Sequence, residues 1–125
     1  LSGKVALAPD LTENEVCPML LFEFNEWSLT PESQNTIDRK LASWLSMHPG
    51  VSNSGLIAEG WADNIGSDEA CRVISLKRAK TIARYVSSTL GVKVSASGMG
   101  KSNDPPNTSE INKQKNRRVV LKLAN

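Results

Sequence analysis

Residues 60–79 read GWADNIGSDEACRVISLKRA, and the fold turns on how this stretch divides. An apolar run ends at Gly60, a tight polar loop carries Asp63, Asn64 and Gly66, and a helix start follows at Ser67. Ser67 offers a side-chain oxygen to an orphan backbone N–H, while Asp68 and Glu69 complement the positive helix end. Steps of four and three from Ser67 give Cys71, Ile74 and Arg78, which share one stripe of the helix. If the Asp63 loop folds over that stripe, a carboxylate and a guanidinium face one groove. Such a pair suits a zwitterionic ligand whose ammonium and carboxylate lie close together.

Working outward, the helix continues with Val73, Ile82, Ala83, Val86 and Leu90 expected toward the core, and Gly91 is its natural stop. Lys77, Lys80 and Arg84 fall on the outer side as a solvated face. Before the motif, residues 51–60 should hold a strand, best at 55–59. After it, residues 92–97 (VKVSAS) alternate like a further strand. Gly98, Gly100, Asn103, Pro105, Pro106 and Asn107 make residues 98–111 loop-like, with the two glycines serving backbone geometry. Asn116-Arg117-Arg118 then leads into a closing strand at 119–123, with Val119, Leu121 and Leu123 on one face.

Toward the N-terminus, residues 19–24 (MLLFEF) read as the first core strand. Thr30-Pro31-Glu32 is a helix start, with Thr30 capping and Pro31 at the first helical position. Ile37, Leu41, Trp44, Leu45 and His48 recur at helical spacing, and Pro49-Gly50 ends the helix. His48 reads as a helix-end residue, because no carboxylate or cysteine accompanies it. Residues 1–18 form a partly irregular N-terminal extension with a short edge strand at 4–8, and the domain proper is expected over 19–125. The order strand, helix, strand, helix, strand, loop, strand implies an α/β sandwich (α+β) in which helices cover a small mixed four-stranded sheet.

With 125 residues the chain has room for one domain with a real core. A net charge of +2 without a concentrated basic patch argues against nucleic acid. No eighteen-residue apolar run spans a membrane, so membrane attachment is expected only through a segment preceding Leu1. One histidine and no CxxC pair argue against zinc. No nucleophile–base pair can be assembled, so no enzymatic activity and no cofactor are expected. Cys17 and Cys71 are compatible with one disulfide or with two buried thiols, since a bond needs Cα atoms about 4.4–6.8 Å apart.

The ordered set of motifs resembles the OmpA C-terminal-domain-like family, which includes peptidoglycan-associated lipoprotein and the periplasmic domain of the stator protein MotB. The matching pieces are Phe22 and Phe24, Leu29 to Glu32, Gly60 with Asp63 and Gly66-Ser67, Ile74-Ser75 with Arg78-Ala79, Gly98 to Pro105, and Asn116 to Val119. The resemblance runs from about Met19 to Leu123. It implies non-covalent binding of peptidoglycan through the diaminopimelate of its stem peptide, in the periplasm of a Gram-negative envelope. The chain would thereby anchor an envelope protein, attached to the inner or outer membrane, to the cell wall.

Carried over residue by residue, Asp63 would take the ammonium and Arg78 the carboxylate, the latter in a two-pronged geometry that lysine cannot copy. Asn64 and Ile74 would line the groove, with Asn25 and Arg117 as its far wall. One arginine of the Asn116-Arg117-Arg118 run would face the groove and the other the sheet edge or solvent, with the sequence not deciding which. Two departures stand out: Gly60-Trp61-Ala62-Asp63 replaces the family's frequent Gly-His-Thr-Asp, and Cys71 replaces a frequent asparagine. Trp61 could stack on a sugar ring or pack at the strand end. The alternative function is a protein–protein interaction module of a stator or secretion machine, with weak or no wall binding. Other envelope proteins, and a second copy of the chain in a homodimer, are the further partners considered.

Overall fold

The structure, a computed structural model, describes residues 14–124, and the strand expected at 4–8 lies outside them. The described chain runs through β1 (Leu20–Leu21) and a helix α1 made of three consecutive segments (Pro31–Asn35, Thr36–Leu41, Ala42–Ser46). A one-turn helix α2 (Val51–Ser54), β2 (Leu56–Ala62), the long helix α3 (Asp68–Leu90) and β3 (Val94–Lys101) follow. The chain ends with α4 (Glu110–Asn116) and β4 (Arg118–Leu123). The sheet order is β1-β4-β2-β3, with β2 parallel to β3 and the other two pairings antiparallel. This is the expected mixed four-stranded sheet with helices packed on it.

The first strand is shorter than residues 19–24 suggest. Only Leu20 and Leu21 pair with β4, and the Phe22 N–H adds one bond to the Arg117 carbonyl at 2.8 Å. Leu20 and Phe22 are buried, whereas Met19 and Phe24 point outward. The longer β4 leaves backbone groups beyond β1 that need partners, and the preceding chain supplies them. Val16 N–H donates to the Leu121 carbonyl at 3.1 Å, and Leu123 N–H donates to the Asn14 carbonyl at 2.9 Å. Val16 and Cys17 thereby join the core, so part of the segment before residue 19 is built into the sheet.

Helix α1 starts as expected, with Thr30 Oγ1 accepting the Ser33 N–H at 3.1 Å. Its middle segment, Thr36–Leu41, is π-helical and buries Ile37 and Leu41. His48 lies just past the helix, stacked on Trp44 at 4.2 Å with Nδ1 2.7 Å from the Trp44 carbonyl. The sequence placed no helix at 51–54, but Pro49-Gly50 gives way to one before Gly55 turns the chain into β2.

The closest packing is between α3 and the sheet. Gly60 and Gly98 sit opposite each other in the β2–β3 register. A Cβ on Gly60 would overlap the Ser75 carbonyl oxygen, and one on Gly98 would lie 2.7 Å from the Leu76 Cβ. The two glycines therefore let α3 rest on bare backbone, and β2 runs past Gly60 to Ala62. Strand β3 likewise continues through Gly98 to Lys101, where a loop was expected. Its register shifts near Gly100, whose φ is +83°, and Ser75 Oγ accepts the Gly100 N–H at 2.9 Å.

Helix α3 is capped as read, with Ser67 Oγ accepting the Ala70 N–H at 3.0 Å and Gly91 left-handed at φ 70°. Its buried positions are Cys71, Ser75, Arg78, Ala79, Ile82, Ala83 and Val86. Val73 was expected in the core but is 45% exposed. Two residues past Cys71 is about 200° around the helix, which turns Val73 away from the sheet. Helix α4 was also not anticipated. Ser109 caps it by accepting the Asn112 N–H at 3.1 Å, a start signal hidden among prolines and asparagines.

Candidate functional site

The loop after β2, the first turns of α3, the chain after β1 and the start of β4 enclose a groove of about 240 Å³. Asp63, Ile74, Arg78, Asn25 and Arg117 all line it, so five of the six expected binding residues converge. Asn64 does not. The Asp63 Oδ1 accepts the Ile65 N–H at 3.0 Å, an Asx-type turn. That turn leaves Asn64 exposed and makes Ile65 the lining residue.

Asp63 is 4% exposed, and its other oxygen accepts Arg117 Nη1 at 2.9 Å. Arg117 Nη2 donates to Glu110 Oε2 at 2.7 Å, and its Nε donates to the Phe22 carbonyl at 3.4 Å. Arg117 thus bridges a buried and an exposed carboxylate. Burial pulls its pKa down, but the hydrogen bonds to Glu110 and Asp63 outweigh that and leave it raised.

Arg78 is 1% exposed, and each of its three nitrogens donates to a backbone carbonyl. Nε reaches Glu26 at 2.7 Å, Nη1 reaches Trp61 at 3.1 Å and Nη2 reaches Glu23 at 3.2 Å. It therefore clamps the chain after β1 to the end of β2. Burial, offset by Asp63 and reinforced by Arg117, lowers its pKa to about 10, so it remains cationic at neutral pH. A guanidinium has five N–H donors, so the three carbonyls leave two of them over, and Arg78 lines the groove.

The Asn116-Arg117-Arg118 run divides its work. Asn116 is fully buried and ties the 102–109 loop, donating to the Pro105 carbonyl at 2.8 Å and Asn107 Oδ1 at 2.9 Å. Its Oδ1 accepts Ser102 Oγ at 2.7 Å. Arg117 faces the groove, whereas Arg118 turns to the opposite side of the sheet and lies over the Trp61 ring at 5.0 Å. Trp61 contributes its carbonyl to Arg78 but keeps its ring out of the groove.

Both cysteines are free thiols in the structure, so the disulfide left open by sequence is not formed. Cys17 packs in the hydrophobic core, and burial pushes its pKa up to about 12. Cys71 lines the groove and donates through Sγ to the Ile65 carbonyl at 3.1 Å, which braces the Asp63 loop. Burial raises its pKa as well. Sequence reasoning missed Phe24 and Ile65, which also line the groove. An isoleucine inside an otherwise polar turn was the available signal. Among the described residues no cluster of His, Cys, Asp or Glu could hold a metal ion, and no helix is long and apolar enough to cross a membrane.

The OmpA family pattern matches residues 21–118, a span that contains the whole groove. The chain belongs to the OmpA family. This OmpA-family chain is 36% identical over 87 residues to outer membrane protein A of Citrobacter freundii, a match covering 67% of the chain and 35% of that relative. It thus spans about a third of that relative's length. Its fold is similar to that of the peptidoglycan-associated lipoprotein from Burkholderia pseudomallei, with a TM-score of 0.68 and 26% identity. That likeness covers 83% of this chain and 87% of the other. The cell wall anchor of the type VI secretion system from Pseudomonas aeruginosa shares the fold at 23% identity and a TM-score of 0.64, over 82% and 73% of the two chains.

Proposed function

We propose that the chain binds peptidoglycan non-covalently through the diaminopimelate of its stem peptide and anchors an envelope protein or complex to the cell wall in the periplasm. The observation that carries this reading is the convergence of Asp63, Arg78 and Arg117 on one small groove with Asn25 and Ile74. Membership of the OmpA family, and the names of the two structural relatives, support the same direction.

The groove holds two guanidiniums against one buried carboxylate, so it favours a ligand with an anionic group. Asp63 spends one lone pair of each oxygen on Ile65 N–H and Arg117. A carboxylate keeps further acceptor capacity, and a ligand ammonium is the donor that fits it. The two remaining Arg78 N–H groups suit the ligand carboxylate in a two-pronged geometry. Arg117 holds Asp63 in place and adds positive potential. The ligand needs no reorganisation of these side chains, because their partners already fix them.

The second reading is a protein–protein module of an envelope machine. It is favoured by one observation, that Arg78 already satisfies three backbone carbonyls and so has a structural use without any ligand. Co-sedimentation with purified diaminopimelate-type sacculi separates the two. Asp63→Asn keeps the acceptor for Ile65 N–H but removes the charge, and it is expected to lose at least tenfold in affinity while staying folded. Equal sedimentation of wild type and Asp63→Asn would place binding elsewhere, and no sedimentation of wild type would turn attention to protein partners.

A further inference from the structure

Two large apolar side chains line the groove while remaining about half exposed to solvent. Phe24 is 53% exposed and Ile65 is 47% exposed, and both line the cavity. Scattered exposed hydrophobic residues need no explanation. These two are tied to the charged set. The Arg117 guanidinium lies 5.9 Å from the Phe24 ring centre, and Asn25 follows Phe24 with a left-handed φ of 56°. Ile65 donates its N–H to Asp63 and accepts the Cys71 thiol through its carbonyl. Each apolar group is therefore held in register with a charge. Ile74, Ala62 and Ala70 add apolar lining to the same groove.

We propose that Phe24 and Ile65 form an apolar clip over the aliphatic stem of the bound residue, so that the groove selects a charged head carried on a chain of several methylene groups. This rests on the wall-binding reading and names what that reading lacks, a reason for the groove to distinguish a long-stemmed residue from any small zwitterion. The charges hold the head, and the clip adds affinity for each methylene it covers. Salt screens the first contribution and leaves the second unchanged.

The test compares wild type with Phe24→Ser, Ile65→Ser and Phe24→Leu in co-sedimentation with diaminopimelate-type sacculi at low and moderate salt. Free meso-diaminopimelate and glycine serve as competitors. Each serine variant is expected to bind about fivefold to tenfold more weakly, from the loss of roughly half a side chain of apolar contact. Phe24→Leu should stay within about twofold of wild type, since the contact needs apolar surface and not a ring. The serine variants should keep the salt dependence of wild type, and free meso-diaminopimelate should compete better than glycine. Serine variants that bind like wild type overturn the clip, and so does a Phe24→Leu loss equal to that of Phe24→Ser. If wild type does not sediment at all, the wall-binding reading itself falls.

Discussion

Removing the Arg78 side chain is expected to damage the fold as well as the groove. Arg78→Ala deletes three hydrogen bonds that join the carbonyls of Glu23 and Glu26, after β1, to that of Trp61 at the end of β2. It also removes a guanidinium lying 5.5 Å from the buried Phe22 ring. Hydrogen bonds to charged donors contribute roughly 1.5–3 kcal/mol each. Burying the guanidinium opposes that gain, and the Glu23 and Glu26 carbonyls sit in exposed residues that water can reach, so the lower end applies. The expected loss is about 3–5 kcal/mol, or a fall of roughly 10–20 °C in Tm for a domain of this size. Arg78→Lys restores the charge, but one ammonium cannot reach three divergent carbonyls, so it should recover less than half of the loss. Urea unfolding of the three proteins, followed by tryptophan fluorescence, measures these values. A loss below about 1 kcal/mol for Arg78→Ala would refute the clamp. The clamp also bears on binding studies, because an Arg78→Ala protein that fails to bind could owe its failure to a displaced Asn25 wall.

Gly60→Ala is expected to cost about 3 kcal/mol, since its Cβ would overlap the backbone carbonyl of Ser75, which cannot swing away. Gly50→Ala, with nothing within 4 Å of its added Cβ, should stay close to wild type in the same thermal melt. The Cys17 thiol carries a pH signature. Burial lifts its pKa from the ordinary 9.0 to about 12, so the folded state keeps its proton where the unfolded chain loses it. The stabilisation is complete below pH 9 and is lost as pH rises toward 12. The advantage of wild type over Cys17→Ala should therefore shrink by about 1.6 kcal/mol between pH 9 and pH 10.5. A constant difference across that interval would contradict it.

The sequence was most readable where local chemistry and tertiary packing agree. Ser67, Gly91, Thr30 and Pro31 mark helix ends by side-chain chemistry alone, and the structure uses each of them that way. The glycines at 98 and 100 misled, because glycine reads as a loop former and both lie in β3. Gly98, like Gly60 in the strand expected there, is a strand residue whose missing side chain admits α3. Only the fold reveals that contact. Val73 was misplaced because a valine on an amphipathic helix reads as core until the buried stripe is fixed by the sheet beneath it.

Within the groove, Asp63 and Arg78 could be found from their spacing, but their partners could not. The bridge from Asp63 through Arg117 to Glu110 joins residues 47 positions apart along the chain, counted from 63 to 110. The division of labour between Arg117 and Arg118 follows from strand alternation once β4 is placed. The exchange of Asn64 for Ile65 depends on one hydrogen bond within a turn, which neither composition nor periodicity reports.

The most direct test of the account is chemical-shift mapping of the isotope-labelled chain titrated with a soluble muropeptide that carries meso-diaminopimelate. Saturable shifts are expected at the amides of Asn25, Asp63, Ile65 and Gly66 and at the guanidinium Nε signals of Arg78 and Arg117. Asp63→Asn should abolish those shifts while leaving the free spectrum unchanged away from the Asp63–Arg117–Glu110 bridge and the Ile65 turn. Shifts confined to the opposite face of the sheet, around Trp61, Arg118 and Lys122, would contradict the account, as would a spectrum that does not change at all.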